Sequence, residues 1–190
     1  MTEKEKAARG LLYNATYDKG LNDERDYCKA LCYEYNQLHP AKIGERTALI
    51  QKLFGKTRGS FLIEPPFICD YGYNIEIGSN FFANDNCIIL DGAKVVFGDN
   101  MMIAPQCGFY TDGHPLDAER RNAGLECSYP IKVGSNVWIG GNVVVLPGIT
   151  IGDTTVIGAG SVVTKDVQFG VVAVGNPCRV IEITGGDKKF

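Results

Sequence analysis

From residue 131 onward an aliphatic or aromatic side chain returns every six residues, at Val133, Ile139, Val145, Ile151, Ile157, Val163 and Phe169. An α-helix buries a stripe with a period near 3.6 residues and a half-buried strand alternates with a period of 2, so neither produces this spacing. Six-residue repeats are the signature of a β-solenoid. Each hexad supplies one short strand and one corner, and three hexads close a triangular coil of about 18 residues. One anchor per strand then points inward, and successive coils stack the anchors in columns. Backbone N–H and C=O groups are satisfied by the coils above and below. Gly134, Gly140, Gly152 and Gly158 follow four of the anchors, and the chain holds 23 glycines, which suits a fold made of tight corners. Upstream the pattern recurs less regularly at Ile77, Ala83, Ile89, Phe97, Ile103 and Phe109. The expected fold is mainly β, a parallel β-helix with an N-terminal α-helical region.

Residues 1–60 lack the hexads and read as helical. A charged amphipathic stretch begins at EKEKAARGLLY, and Asn22-Asp23-Glu24-Arg25 has the acidic first turn of a helix start. From there Tyr27, Ala30, Leu31, Tyr35 and Leu38 share one face, and His39-Pro40 ends the helix because proline disfavours α geometry in the residue before it. A further helix is expected over Glu45–Phe54, stopping at Gly55. The solenoid is expected over residues 61–184, with a short tail at 185–190.

The hexads break between Phe109 and Ile131, where YTDGHPLDAERRNAGLECSYP is polar and rich in turn formers. A solenoid tolerates an insertion at a corner because only the loop leaves the stack, and loops of this length in compact domains are commonly functional. The loop at 110–130 carries His114, one of two histidines in the chain. Imidazole titrates near neutral pH and can take a proton from a hydroxyl. His39, beside a helix-ending proline, reads as structural.

Composition narrows the function classes. A net charge of −3 offers no basic field for nucleic acid. The charged N-terminus has no apolar signal core, and no apolar run is long enough to span a bilayer. Seven scattered cysteines, an odd number, suit reduced thiols and a cytoplasmic location. Cys28 and Cys32 lie four apart on a helix, but no second Cys or His pair follows that would complete a zinc site, so no metal is expected.

Taken together, RGLLYNATYDKGLNDER, EPPFICDYGYNIEIGSNFFANDNCIILD, TDGHPLDAERRNAGLECSYPI, IKVGSNVWIGGNVVVLPGITIGD, IGAGSVVTKD and VGNPCRVI resemble, in this order, the maltose and galactoside O-acetyltransferases of the hexapeptide acyltransferase superfamily. The resemblance covers nearly the whole chain. It implies a left-handed coil, although parallel crossovers are usually right-handed. It also implies an acetyl-CoA-dependent transfer to a sugar hydroxyl by direct attack, with His114 as general base. Backbone amides at Gly140-Gly141 would face the oxyanion. Acceptor binding maps to Asp70 and Asn84. Asp91 lies near another acceptor contact, whose matching position is Gly92. Coenzyme A binding maps to Gly141, Ala159, Thr164, Lys165 and Arg179, the cations pairing with phosphates. An arginine expected near the end of CRVI is Glu182. Trp138 is suited to the acyl site or to a subunit contact, and Glu126 to holding the loop or orienting His114.

The resemblance further implies a homotrimer with sites at the subunit seams. A γ-type carbonic anhydrase would need three zinc-binding histidines, one more than the chain's two. Serine or antibiotic acetyltransferases and a non-catalytic scaffold remain as alternatives, and the acceptor stays open.

Overall fold

Three parallel sheets, visited in rotation by the chain, form the faces of a left-handed parallel β-helix. The structure, a computed structural model, describes residues 1–183; the expected tail at 185–190 lies outside the described residues. Face A stacks Lys56–Thr57, Ile75–Ile77, Val95–Phe97, Ile131–Val133 and Thr150–Ile151. Face B stacks Phe61–Ile63, Phe81–Ala83, Met101–Ile103, Trp138–Ile139, Val156–Ile157 and Val171–Val174, and the antiparallel strand Arg179–Ile183 closes its end. Face C stacks Phe67–Cys69, Cys87–Leu90, Gly108–Tyr110, Val144–Val145 and Val162–Val163. The parallel ladder thus begins at Lys56, ahead of residue 61.

Coil length explains why the upstream repeat is hard to see. A coil spans 20 residues from Ile75 to Val95, 18 from Lys132 to Thr150 and 16 from Val156 to Val172. All the variation falls at the corner between faces C and A. There the early coils carry two extra residues, the third carries the long insertion, and the last is cut short. Phe169 is therefore not an anchor. It is 78% exposed, and Val167, bridged to Ile151, fills the inward column instead. Asp166, which accepts a hydrogen bond from Thr150 N at 2.7 Å, sits at the tightened corner.

The other twelve anchors are buried as the hexads require. Phe81, Phe97 and Phe109 stack edge-to-face through the middle coils, with centroid separations of 5.3 and 5.0 Å. At the corner after face A, Asn80, Asn100 and Asn136 adopt φ of 55°, 57° and 57°, a left-handed geometry that asparagine tolerates better than most side chains. Their amides form a ladder, Asn80 Nδ2 donating to Asn100 Oδ1 at 3.0 Å and Asn100 Nδ2 to Asn136 Oδ1 at 2.9 Å.

The N-terminal region closes the first coil. It comprises α1 (Glu3–Ala8), α2 (Lys19–Gln37) and α3 (Ile43–Leu53). Helix α2 starts earlier than expected, because Asp18 rather than Asn22 is the cap and accepts from Leu21 N at 2.8 Å. Its buried face is Leu21, Cys28, Leu31, Cys32 and Tyr35. Tyr27 is 57% exposed and Ala30 also faces out; the cysteines take the places that the sequence reading gave to them. An open edge strand invites pairing with another chain, and the cap removes that hazard. Asn36 brackets Phe67, donating to its carbonyl at 2.9 Å and accepting from its amide at 2.8 Å. Tyr35 Oη and Arg46 both donate to the carbonyl of Ile63, and Arg46 pairs with Glu64 at 3.0 Å.

Candidate active site

The insertion between faces C and A is an ordered structure rather than an irregular loop. Asp112–Gly113 pairs antiparallel with Leu125–Ser128, which pairs on its other side with Tyr13–Asn14 of the cap. Between the hairpin strands lies α4 (Ala118–Asn122), whose cap Asp117 accepts from Arg120 N at 2.9 Å. His114 follows the first strand directly. Its ring is exposed, with Nδ1 3.2 Å from the carbonyl of Leu125. A carbonyl only accepts, so Nδ1 carries the proton, and in the neutral ring Nε2 holds the lone pair. Glu126, beside Leu125, interacts with His114 through its charge; the backbone of Leu125 supplies the hydrogen bond.

Acidic side chains gather around this hairpin. Burial pushes the carboxyls of Asp70, Asp112 and Glu126 upward, and each repels another member of the set. Arg25 opposes this at Asp70 and Glu126, while its guanidinium donates to Tyr71 Oη at 2.9 Å and to the Ala15 carbonyl at 2.6 Å. Asp91 is fully buried and is a corner brace. Its carboxylate accepts from the amides of Asp70, Tyr71 and Asn74 at 3.0, 2.8 and 3.3 Å, while burial pushes its carboxyl up to about 7.

The space beside Gly92 is filled from elsewhere. A Cβ placed there would lie 1.9 Å from Asp112 Oδ1 and 2.6 Å from Ser128 Oγ. The Asp112 carboxylate therefore occupies the space a side chain at 92 would need. Asp112 is held by Ser128 Oγ, which in turn is 2.8 Å from the buried Tyr13 hydroxyl. Neither Asp112 nor Arg25 was singled out from the sequence; the one available signal was that Gly92 is short of a side chain and Asp112 stands two residues before His114.

This Tyr13–Ser128–Asp112 chain ties the cap to the hairpin that carries His114. Removing the phenol oxygen in Tyr13→Phe leaves buried partners short of a hydrogen bond, at a cost of about 1–3 kcal/mol. The expected result is a melting temperature lowered by about 2–4 °C per kcal/mol in a chain of this size, read by circular dichroism. An unchanged melt would show that the chain of hydroxyls carries no strain-bearing role.

The remaining expected residues fall on different edges of the prism. Asn84, Gly141 and Ala159 share the corner between faces B and C. Asn84 Oδ1 accepts from Asp85 N at 2.9 Å, and Gly160 N donates to the Gly141 carbonyl at 2.8 Å. Gly140 must lack a side chain, since a Cβ would approach Ala159 N to 2.6 Å. Asp70, His114, Thr164 and Lys165 share the corner between faces C and A, with Lys165 exposed. Arg179 begins the closing strand, exposed, donating to the Cys178 carbonyl at 2.8 Å, and Glu182 lies opposite Val172 on that strand. The fold thus separates Asn84 and Gly141 from His114 by the width of face C.

Residues 6–59 match the maltose acetyltransferase hexapeptide capping motif, and residues 130–165 match the bacterial transferase hexapeptide repeats. The chain is 47% identical to galactoside O-acetyltransferase of Escherichia coli (strain K12), over 100% of this chain and 93% of that protein. The chain belongs to the maltose/galactoside O-acetyltransferase family. A solved maltose O-acetyltransferase from Clostridium difficile 630 superposes with a TM-score of 0.95 at 51% identity, covering 98% of this chain and 99% of that one. A galactoside acetyltransferase in complex with coenzyme A superposes with a TM-score of 0.94 at 45% identity, covering 97% and 92%. This member of the hexapeptide acetyltransferases shares the fold of both over nearly its whole length. Among its described residues no helix is long and apolar enough to cross a membrane.

Proposed function

We propose that the chain transfers the acetyl group of acetyl-CoA to a hydroxyl of a sugar such as maltose, glucose or a galactoside. The observation that carries this reading is the His114 tautomer set by the Leu125 carbonyl, which leaves Nε2 as a base on an exposed rim. Nε2 takes the acceptor's hydroxyl proton as the oxygen attacks the thioester carbonyl. The tetrahedral oxyanion then collapses, expels the coenzyme A sulfur, and the imidazolium returns the proton to it. Gly140 N is already committed to the Ile157 carbonyl at 2.8 Å, so the amide of Gly141 is the donor for the oxyanion. Asp70 and Asn84 accept and donate hydrogen bonds to the sugar, and Asp112 supplies the carboxylate that Gly92 lacks. Ala159 and Thr164 border the pantetheine arm, and Lys165 and Arg179 pair with its phosphates.

These groups meet only when the corner between faces C and A of one copy approaches the corner between faces B and C of another. A homotrimer satisfies that requirement around a closed ring. Face B carries an outward ladder of Leu62, Phe82, Met102 and Trp138 in register, with Met102 61% and Trp138 44% exposed, an apolar stripe fit for a subunit contact. Seven free thiols suit a reducing cytoplasm.

The test is coenzyme A release measured with a panel of sugars, serine and aminoglycoside acceptors. Turnover with a sugar well above background hydrolysis supports the reading. Turnover only with serine or an antibiotic would move the chain to another branch, and no turnover with any hydroxyl would sink it. Light scattering should give a trimer; an active monomer would overturn the seam.

A further inference from the structure

Helix α2 places Cys28 and Cys32 one turn apart, and the fold brings a third thiol, Cys69 at the end of the first strand of face C, against both. The Cys28 and Cys69 sulfurs are 3.5 Å apart, those of Cys32 and Cys69 3.7 Å apart, and all three lie within 4.8 Å of one another. Cys28 and Cys69 are fully buried, whereas Cys32 keeps 5% exposure. An atom bonded to three sulfurs at about 2.3 Å holds them about 3.3–4.0 Å apart at bond angles of about 90–120°. The two separations to Cys69 fall in that range, while a disulfide would need one pair to close to about 2.05 Å.

We propose that Cys28, Cys32 and Cys69 form a three-sulfur site for a trivalent thiophilic element of the arsenite class. Two considerations select that class over a soft metal cation. Zinc wants four ligands, and among the described residues no fourth ligating side chain joins the three. Three thiolates around a monovalent or divalent cation would also leave net negative charge in a dry interior, which is costly. Arsenous acid avoids both difficulties. It condenses with three thiols: three S–H and three As–O bonds break, three As–S bonds form, and each thiol proton leaves with a hydroxide as water. Arsenic stays trivalent, no electron is transferred, and the product is neutral. Cys32 is the point of entry, being the least covered of the three thiols. Occupancy would staple α2 to the first coil.

The reduced full-length protein is titrated with sodium arsenite and read by native mass spectrometry and by thermal melting. The expected result is one arsenic per chain with the loss of three hydrogens, and a raised melting temperature, since a ligand that binds only the folded state stabilises it. Cys32→Ala should weaken binding by more than the about 10–100-fold that loss of a supporting residue costs at a metal site; Cys178→Ser, outside the cluster, should not. A separate titration with zinc chloride should give weaker binding. No mass gain, a two-sulfur adduct that keeps a hydroxyl, a gain undiminished in Cys32→Ala, or zinc binding tighter than arsenite would each overturn the assignment. If Cys32→Ala does not fold, the hydrogen count on the wild-type adduct decides alone.

Discussion

Replacing His114 with alanine should lower kcat for acetyl transfer by about 10²–10⁴-fold, the usual contribution of a positioned general base. The KM for acetyl-CoA should change little, because the imidazole acts on the acceptor hydroxyl rather than on the coenzyme. Stability should stay within about 0.5 kcal/mol of the parent, since the ring is exposed and hydrogen-bonds only to the Leu125 carbonyl among the described residues. That pairing of outcomes separates chemistry from structure. A variant that keeps its turnover would remove His114 from the mechanism, and the scaffold alternative would then gain ground. Steady-state kinetics with the best sugar from the panel, alongside a thermal melt, make the measurement.

The second large effect is on stability. Phe97 is 1% exposed and packs in the prism interior between Phe81 of face B and Phe109 of face C. Phe97→Ala should cost about 3–5 kcal/mol, from lost transfer energy and from a cavity that stacked coils cannot close. Each coil is hydrogen-bonded to its neighbours on both sides, so no strand can move inward without breaking a ladder. The melting temperature should fall by roughly 10 °C in a chain of this length, measured by circular dichroism or calorimetry. A loss below about 1 kcal/mol would mean that the interior repacks, contrary to the rigid-stack picture. Tyr17→Ala, at a position 73% exposed, is the control and should lie within about 0.5 kcal/mol.

Much of the architecture was legible because a solenoid is nearly one-dimensional. Each hexad contacts the same hexad one coil away, so a period in sequence becomes a column in space. Twelve of thirteen anchors stand where the period puts them. The failure at Phe169 came from a coil of 16 residues from Ile151 to Val167, two short of three hexads. A fixed period cannot register a corner that tightens. The helical cap was visible as helix, but its buried face was misassigned where Tyr27 was preferred to Cys28. Small thiols carry weak patterning although they bury as readily as larger apolar groups.

By itself the sequence determined the stacked coil, the corner at which the chain leaves it, and the one histidine on that excursion, His114. These are local properties, set by period, by turn-forming residues and by the chemistry of a single side chain. Tertiary structure alone decided the rest. It put Asp112 in the space of the absent side chain at 92, joined Tyr13 to Ser128 across 115 residues, and brought Cys69 to the Cys28–Cys32 pair. It also set Asn84 and His114 on different edges of the prism. Such contacts depend on how the cap and the hairpin fold back on the prism. No repeat records that, because the groups involved share neither a period nor a neighbourhood along the chain.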